Sequence, residues 1–277
     1  MSIINAVFLG IIQGLTEFLP VSSSGHLVLF QNFFGIEEPA LLFDTMLHVG
    51  TLAAVFVVLW KDIWAILKKL NQPLTAYLII ATIPTVIFAL VFRKPLEAAF
   101  ETGKFLGVCF LITSALLVTA ELLAKRAAQK SLAVNGDLKK PGEMNWLDAL
   151  VIGIMQAVAI IPGVSRSGAT LSGALSRGLN RDFAARFSFL LSIHAILGAA
   201  VLQLKDLTKG AGVNAPDGGI GAAAIIAGTT AAAIVGFFSV RLMLKIVREK
   251  SLWGFAIYTG ILGLLVLADQ LHAHLIF

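Results

Sequence analysis

Six apolar runs, each about as long as the hydrocarbon core of a bilayer is thick, constrain this chain more than any other feature. They cover residues 42–60, 75–92, 105–123, 187–204, 219–240 and 253–271, and charge bounds each of them. A helix needs about 20 residues to cross roughly 30 Å of hydrocarbon. The runs therefore predict an all-α polytopic membrane protein, a single integral membrane domain over 1–277. With 58% hydrophobic and 13% charged residues and a mean hydropathy of +0.90, too little polar surface is left to cover a water-soluble domain. The same balance excludes disorder, collagen and coiled coil. The lone Cys109 sits in an apolar run, which rules out a disulfide framework and a cysteine metal cluster and reads as a small buried hydrophobe. The N-terminus shows neither the basic flank nor the small-residue cleavage site of a signal peptide, so residues 1–30 read as mature protein.

Two further apolar stretches are broken. Residues 3–19 carry Gln13, Thr16 and Glu17 and stop at Leu19-Pro20-Val21-Ser22-Ser23-Ser24-Gly25; residues 147–161 stop at Ile161-Pro162-Gly163-Val164-Ser165-Arg166-Ser167-Gly168. Non-helical backbone is tolerated at membrane depth only where protein or a watery cavity surrounds it, so each stretch reads as a re-entrant helix hairpin. The two are copies. At one offset of 143 residues, Gly10 aligns with Gly153, Ile11 with Ile154, Gln13 with Gln156, Val21 with Val164, Ser22 with Ser165, Ser24 with Ser167 and Gly25 with Gly168. Each half, 1–123 and 147–277, is then a hairpin followed by three spans, with a cytoplasmic linker over 124–146 marked by Asn135-Gly136 and Pro141-Gly142. Three is odd, so the second half enters the membrane upside down: an inverted-topology repeat, in which paired interrupted segments point to a midplane site.

Charge fits this layout. If both hairpins return to the side they left, fifteen basic residues (Lys61, Lys68, Lys69, Lys125, Arg126, Lys130, Lys139, Lys140, Arg177, Arg181, Arg186, Arg241, Lys245, Arg248 and Lys250) share one face, and Arg93, Lys94, Lys104, Lys205 and Lys209 share the other. Cytoplasmic loops collect Lys and Arg, which puts both termini outside, in the periplasm or its equivalent. The net charge of +5 is thus an orientation signal and does not call for nucleic acid.

One basic residue belongs to neither face. Arg166 lies on the second tip, and an arginine at bilayer depth costs at least about 2.5–3.5 kcal/mol, so it needs a partner. Ser165, Ser167 and Gly168, followed by a segment able to start a helix, form an anion site suited to phosphate oxygens; the alternative is an ion pair with a buried carboxylate. The first tip offers Ser22, Ser23, Ser24 and Gly25, then His26, with Gln13 and Glu17 on one helix face before the break. Glu17 could act as general base or bind a divalent cation, His26 could shuttle a proton or attack phosphorus, and one serine could be a nucleophile or a phosphate contact. Opposed tips would join Glu17, Ser23, His26 and Arg166, a set fitted to hydrolysis of a phosphate anhydride on a lipid-linked substrate.

The segments Gln13-Gly14-Leu15-Thr16-Glu17-Phe18-Leu19-Pro20-Val21-Ser22-Ser23-Ser24-Gly25-His26 and Pro162-Gly163-Val164-Ser165-Arg166-Ser167-Gly168-Ala169-Thr170 resemble the bacterial undecaprenyl-pyrophosphate phosphatase family, also called the bacitracin-resistance proteins. The likeness extends through Phe43-Asp44, His48-Val49-Gly50-Thr51 and Phe187-Ser188-Phe189-Leu190-Leu191 to essentially the whole chain. It implies an enzyme of the bacterial inner membrane that removes the terminal phosphate of the C55 isoprenoid pyrophosphate with help from Mg²⁺ or Ca²⁺, recycling the carrier lipid for cell-wall synthesis. In that family the positions matching Gln13, Glu17, Ser22, Ser23, His26 and Arg166 are assigned to catalysis and substrate binding. The expected sites are thus Glu17, Ser23, His26 and Arg166 for catalysis, Gln13, Ser22, Ser24, Gly25, Ser165, Ser167 and Gly168 for substrate, and Glu17, with or without Gln13, for the metal. Gln13 stands where many members have glutamate, His194 where the family usually has proline and Thr259 where arginine is common. A helix kink near His194 and a basic contact at Thr259 are therefore in question.

The rival reading is a secondary transporter or lipid flippase, since inverted repeats with broken helices also build transporters; a non-catalytic scaffold leaves Arg166 unexplained. The Glu17-Ser23-His26 cluster separates them, because anion transport needs an arginine and a nest but no proton-transfer group. Asp44 and His48 share a helix face as a buried pair, and Pro84 is expected to kink its span. The small residues of 221–236 suit close helix packing, within the chain or between the subunits of a homodimer.

Overall fold

The computed structural model describes residues 1–36, 41–92, 95–96, 105–133, 138–208 and 220–273. Arg93, Lys94, Lys104, Lys209 and the Asn135-Gly136 turn lie outside the described residues, as do the side chains of Lys130 and Lys205. Eleven α-helices follow in order among those described: α1 Ile3–Thr16, α2 Ser23–Phe33, α3 Leu41–Val58, α4 Trp60–Lys68, α5 Pro73–Val91, α6 Leu106–Ala133, α7 Trp146–Val158, α8 Arg166–Ser176, α9 Arg181–Thr208, α10 Ala222–Glu249 and α11 Trp253–Ala268. No strand occurs among the described residues; one isolated parallel bridge joins Lys139 to Leu179. Five helices are long and apolar enough to cross a membrane, or six if α3 and α4 count as one bent span. The protein is therefore an all-helical, multi-pass membrane protein.

Both broken stretches break where their sequences change character. α1 and α7 are short apolar helices, and each is followed by an irregular turn and an 11-residue helix, α2 or α8. Ser2 caps α1 by accepting the Asn5 N–H, and Asn145 caps α7 in a reciprocal box with Asp148.

Several spans run further than the hydropathy predicts. α6 continues to Ala133, so residues 124–133 of the expected linker are helical, in keeping with the alanine-rich and lysine-rich composition of that stretch. α9 begins at Arg181 and α10 ends at Glu249, because polar turns extend a helix beyond the hydrocarbon at little cost. The run at 42–60 breaks at Leu59, and the amphipathic α4, carrying Lys61 and Lys68, turns off α3 by 76°. α9 passes through His194 as one continuous helix, and Pro84 lies inside α5.

Small residues decide which helices meet. α1 lies on α10, where a Cβ on Gly10 would fall 2.2 Å from the Gly228 carbonyl oxygen and one on Gly14 2.8 Å from that of Ala232. α3 closes on the same helix through Gly50, whose Cβ would meet the Thr229 oxygen at 2.4 Å. The small-residue face of α10 is thus spent inside the chain, on α1 and α3. In the other half α7 lies on α5, where a Cβ on Gly153 would meet the Ala81 oxygen at 2.4 Å. Lipid alone offers little hydrophobic drive for helix pairing, so such close backbone approach is what holds these pairs.

Two buried carboxylates tie the helix ends together. Asp148 receives both oxygens' contacts from Lys139 Nζ at 2.9 Å and one from Arg177 Nε at 2.8 Å, joining α7, the strand-like residue Lys139 and the end of α8. Glu121 of α6 takes Arg181 Nη2 at 2.6 Å and the Leu252 N–H at 2.7 Å, while the same arginine donates to the Val247 and Lys250 carbonyls. Three helices, α6, α9 and α10, meet at that arginine, and Glu121 adds the start of α11.

If main-chain approach sets the α1–α10 pairing, Gly10→Ala lowers stability by about 1–3 kcal/mol, because the obstacle is a carbonyl with no side chain to move aside. Gly198→Ala, in open space within α9, should instead be neutral or gain up to about 1 kcal/mol. Thermal unfolding of both variants in detergent checks this contrast.

Candidate active site

The site forms where the two irregular tips touch. α1 ends at Thr16, the Glu17 N–H still bonds to the Gln13 carbonyl at 2.9 Å, and the chain then turns through Pro20 to Ser22, which caps α2. Ser22 has φ 71°, the only positive φ among the described non-glycine residues. Such a conformation costs on the order of 1–3 kcal/mol and persists only where surroundings enforce it. The second tip turns through Pro162 and Gly163, at φ 90°, to Ser165, an unstrained cap at φ −71°. Gly163 donates its N–H to Ser24 Oγ at 3.3 Å, and Ser167 Oγ donates to the Leu19 carbonyl at 3.0 Å, so each tip satisfies polar groups of the other. Buried backbone away from a helix needs such partners.

Glu17 is the hub. Its side chain is 2% exposed and four groups surround it. Arg166 Nη2 pairs with Oε1, whereas Ser23 Oγ donates to Oε2 at 2.6 Å and Gln13 Nε2 to the same oxygen at 2.9 Å. His48 Nε2 stands 3.6 Å from Oε2. Arg166 also donates through Nη1 to the Ser192 carbonyl at 3.1 Å. Of the two partners foreseen for Arg166, the one present is a buried carboxylate, and that carboxylate is Glu17. The guanidinium has five N–H donors, so donors beyond these two contacts are left to meet an anion.

The serines and glycines of the two tips behave as a pair. Ser22 Oγ accepts the Gly25 N–H at 3.2 Å and Ser165 Oγ the Gly168 N–H at 3.1 Å. Ser22 lies 3.4 Å from Ser24 and Ser165 3.2 Å from Ser167, oxygen to oxygen. Gln13 and Gln156 each donate through Nε2, the latter to Thr85 at 3.0 Å, and each leaves a buried Oε1 with no hydrogen-bond partner among the described residues. Two helix N-termini, those of α2 and α8, therefore converge beside Arg166, and all three favour an anion.

His26 is buried at 3% exposure but takes no part in the Glu17 cluster. Its Nδ1 lies 2.7 Å from the Ser22 carbonyl oxygen and its Nε2 2.8 Å from the Tyr258 hydroxyl. The carbonyl can only accept, so Nδ1 carries a proton, and in the neutral ring Nε2 then accepts from the phenol. Attack by this ring on phosphorus is thereby blocked in the arrangement observed. In the Asp44–His48 neighbourhood, His48 Nδ1 faces the Asp44 backbone carbonyl at 2.8 Å and the Asp44 carboxylate accepts from Gln31 at 2.7 Å. Thr259 satisfies its hydroxyl on the Phe255 carbonyl at 2.9 Å.

No group of three His, Cys, Asp or Glu side chains able to hold a metal occurs among the described residues. The oxygens at hand, the Glu17 carboxylate, the orphaned Gln13 Oε1 and the Ser23 hydroxyl, are hard donors. They fit a Mg²⁺- or Ca²⁺-like ion that takes most of its ligands from phosphate and water.

Sequence reasoning missed Tyr258, the Ser192 carbonyl and Thr113, whose hydroxyl receives the Ser165 N–H at 3.0 Å. A tyrosine among apolar residues on the last span was the one available signal for the first; the other two are ordinary residues chosen by packing.

Comparison with known proteins gives this geometry its relatives. A family model described as bacitracin resistance protein BacA matches residues 6–265. A protein of Carboxydothermus hydrogenoformans named undecaprenyl-diphosphatase is 45% identical over 270 residues, covering 98% of each chain. One of the same name from Alkaliphilus metalliredigens is 39% identical, covering 98% of this chain and all of its own. Undecaprenyl-diphosphatase 4 of Bacillus thuringiensis is 43% identical over 98% of both. With a match of this extent spanning both tips, the chain belongs to the BacA family of bacitracin resistance proteins.

Proposed function

We propose that the protein hydrolyses undecaprenyl pyrophosphate to undecaprenyl phosphate and inorganic phosphate, recycling the carrier lipid for peptidoglycan synthesis and so conferring resistance to bacitracin. The observation that carries this reading is the Ser23 hydroxyl held on Glu17 Oε2 at 2.6 Å while Arg166 holds the other oxygen, in a chain whose relatives bear the name undecaprenyl-diphosphatase. A transporter needs the arginine and the tip serines but gives the Ser23–Glu17 contact no task.

In this mechanism the pyrophosphate binds against Arg166 and the N-termini of α2 and α8, with Ser22, Ser24, Gly25, Ser165, Ser167 and Gly168 shaping the two cradles. Ser23 Oγ attacks the terminal phosphorus, its proton passes to Glu17 Oε2, the bond from phosphorus to the bridging oxygen breaks, and the lipid monophosphate leaves with that oxygen. Water then attacks the phosphorus held on Ser23, the phosphorus–Oγ bond breaks as Oγ takes the proton back from Glu17, and the water protons leave with the phosphate. Arg166 acts twice: it keeps Glu17 oriented before attack, and its free donors take the charge that develops on the phosphoryl oxygens. His26 assists by bracing the first tip. A divalent cation held by Glu17 and Gln13 Oε1 would supply further neutralisation of the phosphates.

We place this site in the bacterial cytoplasmic membrane, within six spans and two re-entrant hairpins arranged as an inverted repeat of 1–123 and 147–277. The matched caps Ser22 and Ser165, the matched orphan oxygens of Gln13 and Gln156, and the matched close approaches of Gly10 and Gly153 support the repeat. Both termini are periplasmic. α4 fits a membrane–water boundary on the basic side: its exposed Trp60 and Trp64 stack at 5.5 Å, and Lys68, one of the fifteen, lies over Trp64. A homodimer would use faces other than the small-residue face of α10.

Purified protein in detergent, given C55 pyrophosphate and a divalent cation, should release phosphate. Glu17→Gln and Ser23→Ala should each lower kcat by at least about 100-fold, and undiminished release from both would overturn the enzyme reading. Chelation should lower the rate, and Gln13→Glu, which adds a second carboxylate, should lower the cation concentration needed for half-maximal activity. A rate indifferent to chelator would remove the cation from the mechanism.

A further inference from the structure

The two tips differ in one respect that their sequence likeness hides. Ser22 is strained at φ 71° and Ser165 is not. The residue four places on is His26 in the first tip and Ala169 in the second, so the strained cap is the one that carries a histidine. That histidine grips the cap twice, since its backbone N–H at 3.2 Å and its ring Nδ1 at 2.7 Å both meet the Ser22 carbonyl oxygen. Ser23 follows Ser22 directly, and the direction of its hydroxyl, 2.6 Å from Glu17 Oε2, depends on the backbone angles that this grip enforces.

The ring is held in turn from the other half of the chain. Tyr258 of α11 stacks on His26 with ring centroids 5.8 Å apart and planes 13° apart, and its hydroxyl lies 2.8 Å from Nε2. Phe110 of α6 closes the other side edge-on at 5.4 Å. Donation from the phenol to Nε2 polarises the ring and strengthens the Nδ1–H bond beyond it.

We propose that Tyr258 is a positioning residue for the reaction. Its hydroxyl orients His26, His26 clamps the strained Ser22 carbonyl, and the clamp aims the Ser23 hydroxyl at Glu17. Tyr258 touches none of the reacting atoms and acts only through this chain of hydrogen bonds. The kinetic part of the inference rests on the phosphatase reading above; the hydrogen-bond chain does not.

The test is Tyr258→Phe in the full-length protein, which keeps the ring and its stacking and removes the one donor. Phosphate release from C55 pyrophosphate should fall about ten- to a hundredfold in kcat with KM within about twofold, and the thermal midpoint should stay near that of the wild type. Nitrogen-15 spectra of histidine-labelled protein, with the His26 signals identified by their absence from His26→Gln, should show the wild-type ring as a single neutral tautomer protonated on Nδ1. In Tyr258→Phe the Nε2 signal should move to that of an imidazole nitrogen with no donor. Unchanged kcat, or a loss confined to KM, overturns the positioning role. A wild-type ring protonated on Nε2 overturns the clamp. If the wild type releases no phosphate, the phosphatase reading fails instead, and the spectra still decide the hydrogen-bond chain.

Discussion

The ion pair between Glu17 and Arg166 is the contact on which the arrangement of both tips depends. Two charges buried among helices are tolerable only together, since each alone would lack water and counter-charge. They come from stretches 149 residues apart, so neither half can settle its charge without the other. The pair does not close the site off. One carboxylate oxygen still carries the Ser23 hydroxyl, and the guanidinium keeps donors for an anion.

Bringing those two side chains together requires irregular backbone buried between helices, and the surrounding structure answers that requirement locally. Serines cap the two short helices, Gly163 and Ser167 exchange hydrogen bonds with the opposite tip, and Thr113 takes the Ser165 N–H. The helices that carry the tips are seated by glycine, because only a residue without a Cβ allows α1 to meet α10 and α7 to meet α5 at backbone distance. The strain at Ser22 is a place where these answers leave a cost, and it lies beside the residue proposed to attack. Strain of this kind tends to gather at working sites.

Much of this was legible in the sequence, and the physical reasons separate what was from what was not. Long apolar runs and their interruptions are properties of local composition, so the spans, the two broken stretches and the isolation of Arg166 could be read directly. The likeness of the tips was visible as identities, and the cap serines with the glycines they hold, and the close-packed Gly10 and Gly153, make matching contacts. What stayed hidden depends on three-dimensional neighbours. Opposed tips bring Glu17 to Arg166 as expected, but nothing near Arg166 in sequence says that a carboxylate takes its charge in place of an anion, and Glu121 and Asp148 are carboxylates of the same kind that pair instead with Arg181 and with Lys139 and Arg177. Hydropathy extended a span to residue 60 where the chain bends by 76°, because Leu59 and Trp60 are as apolar as what precedes them. The small residues of α10 signalled close packing but not with which helix. His26 was read as a reactive group, yet both of its ring nitrogens are occupied by a carbonyl and a phenol from elsewhere in the fold.

A double-mutant cycle on the two charges, with unfolding free energies determined in detergent for Glu17→Gln, Arg166→Met and the pair together, decides whether the two tips settle their charges on each other. A shared buried ion pair predicts that each single change costs several kcal/mol and that the double variant costs less than their sum by about 1–3 kcal/mol. Losses that simply add would contradict the account, because they would mean that the two tips do not settle their charges on each other.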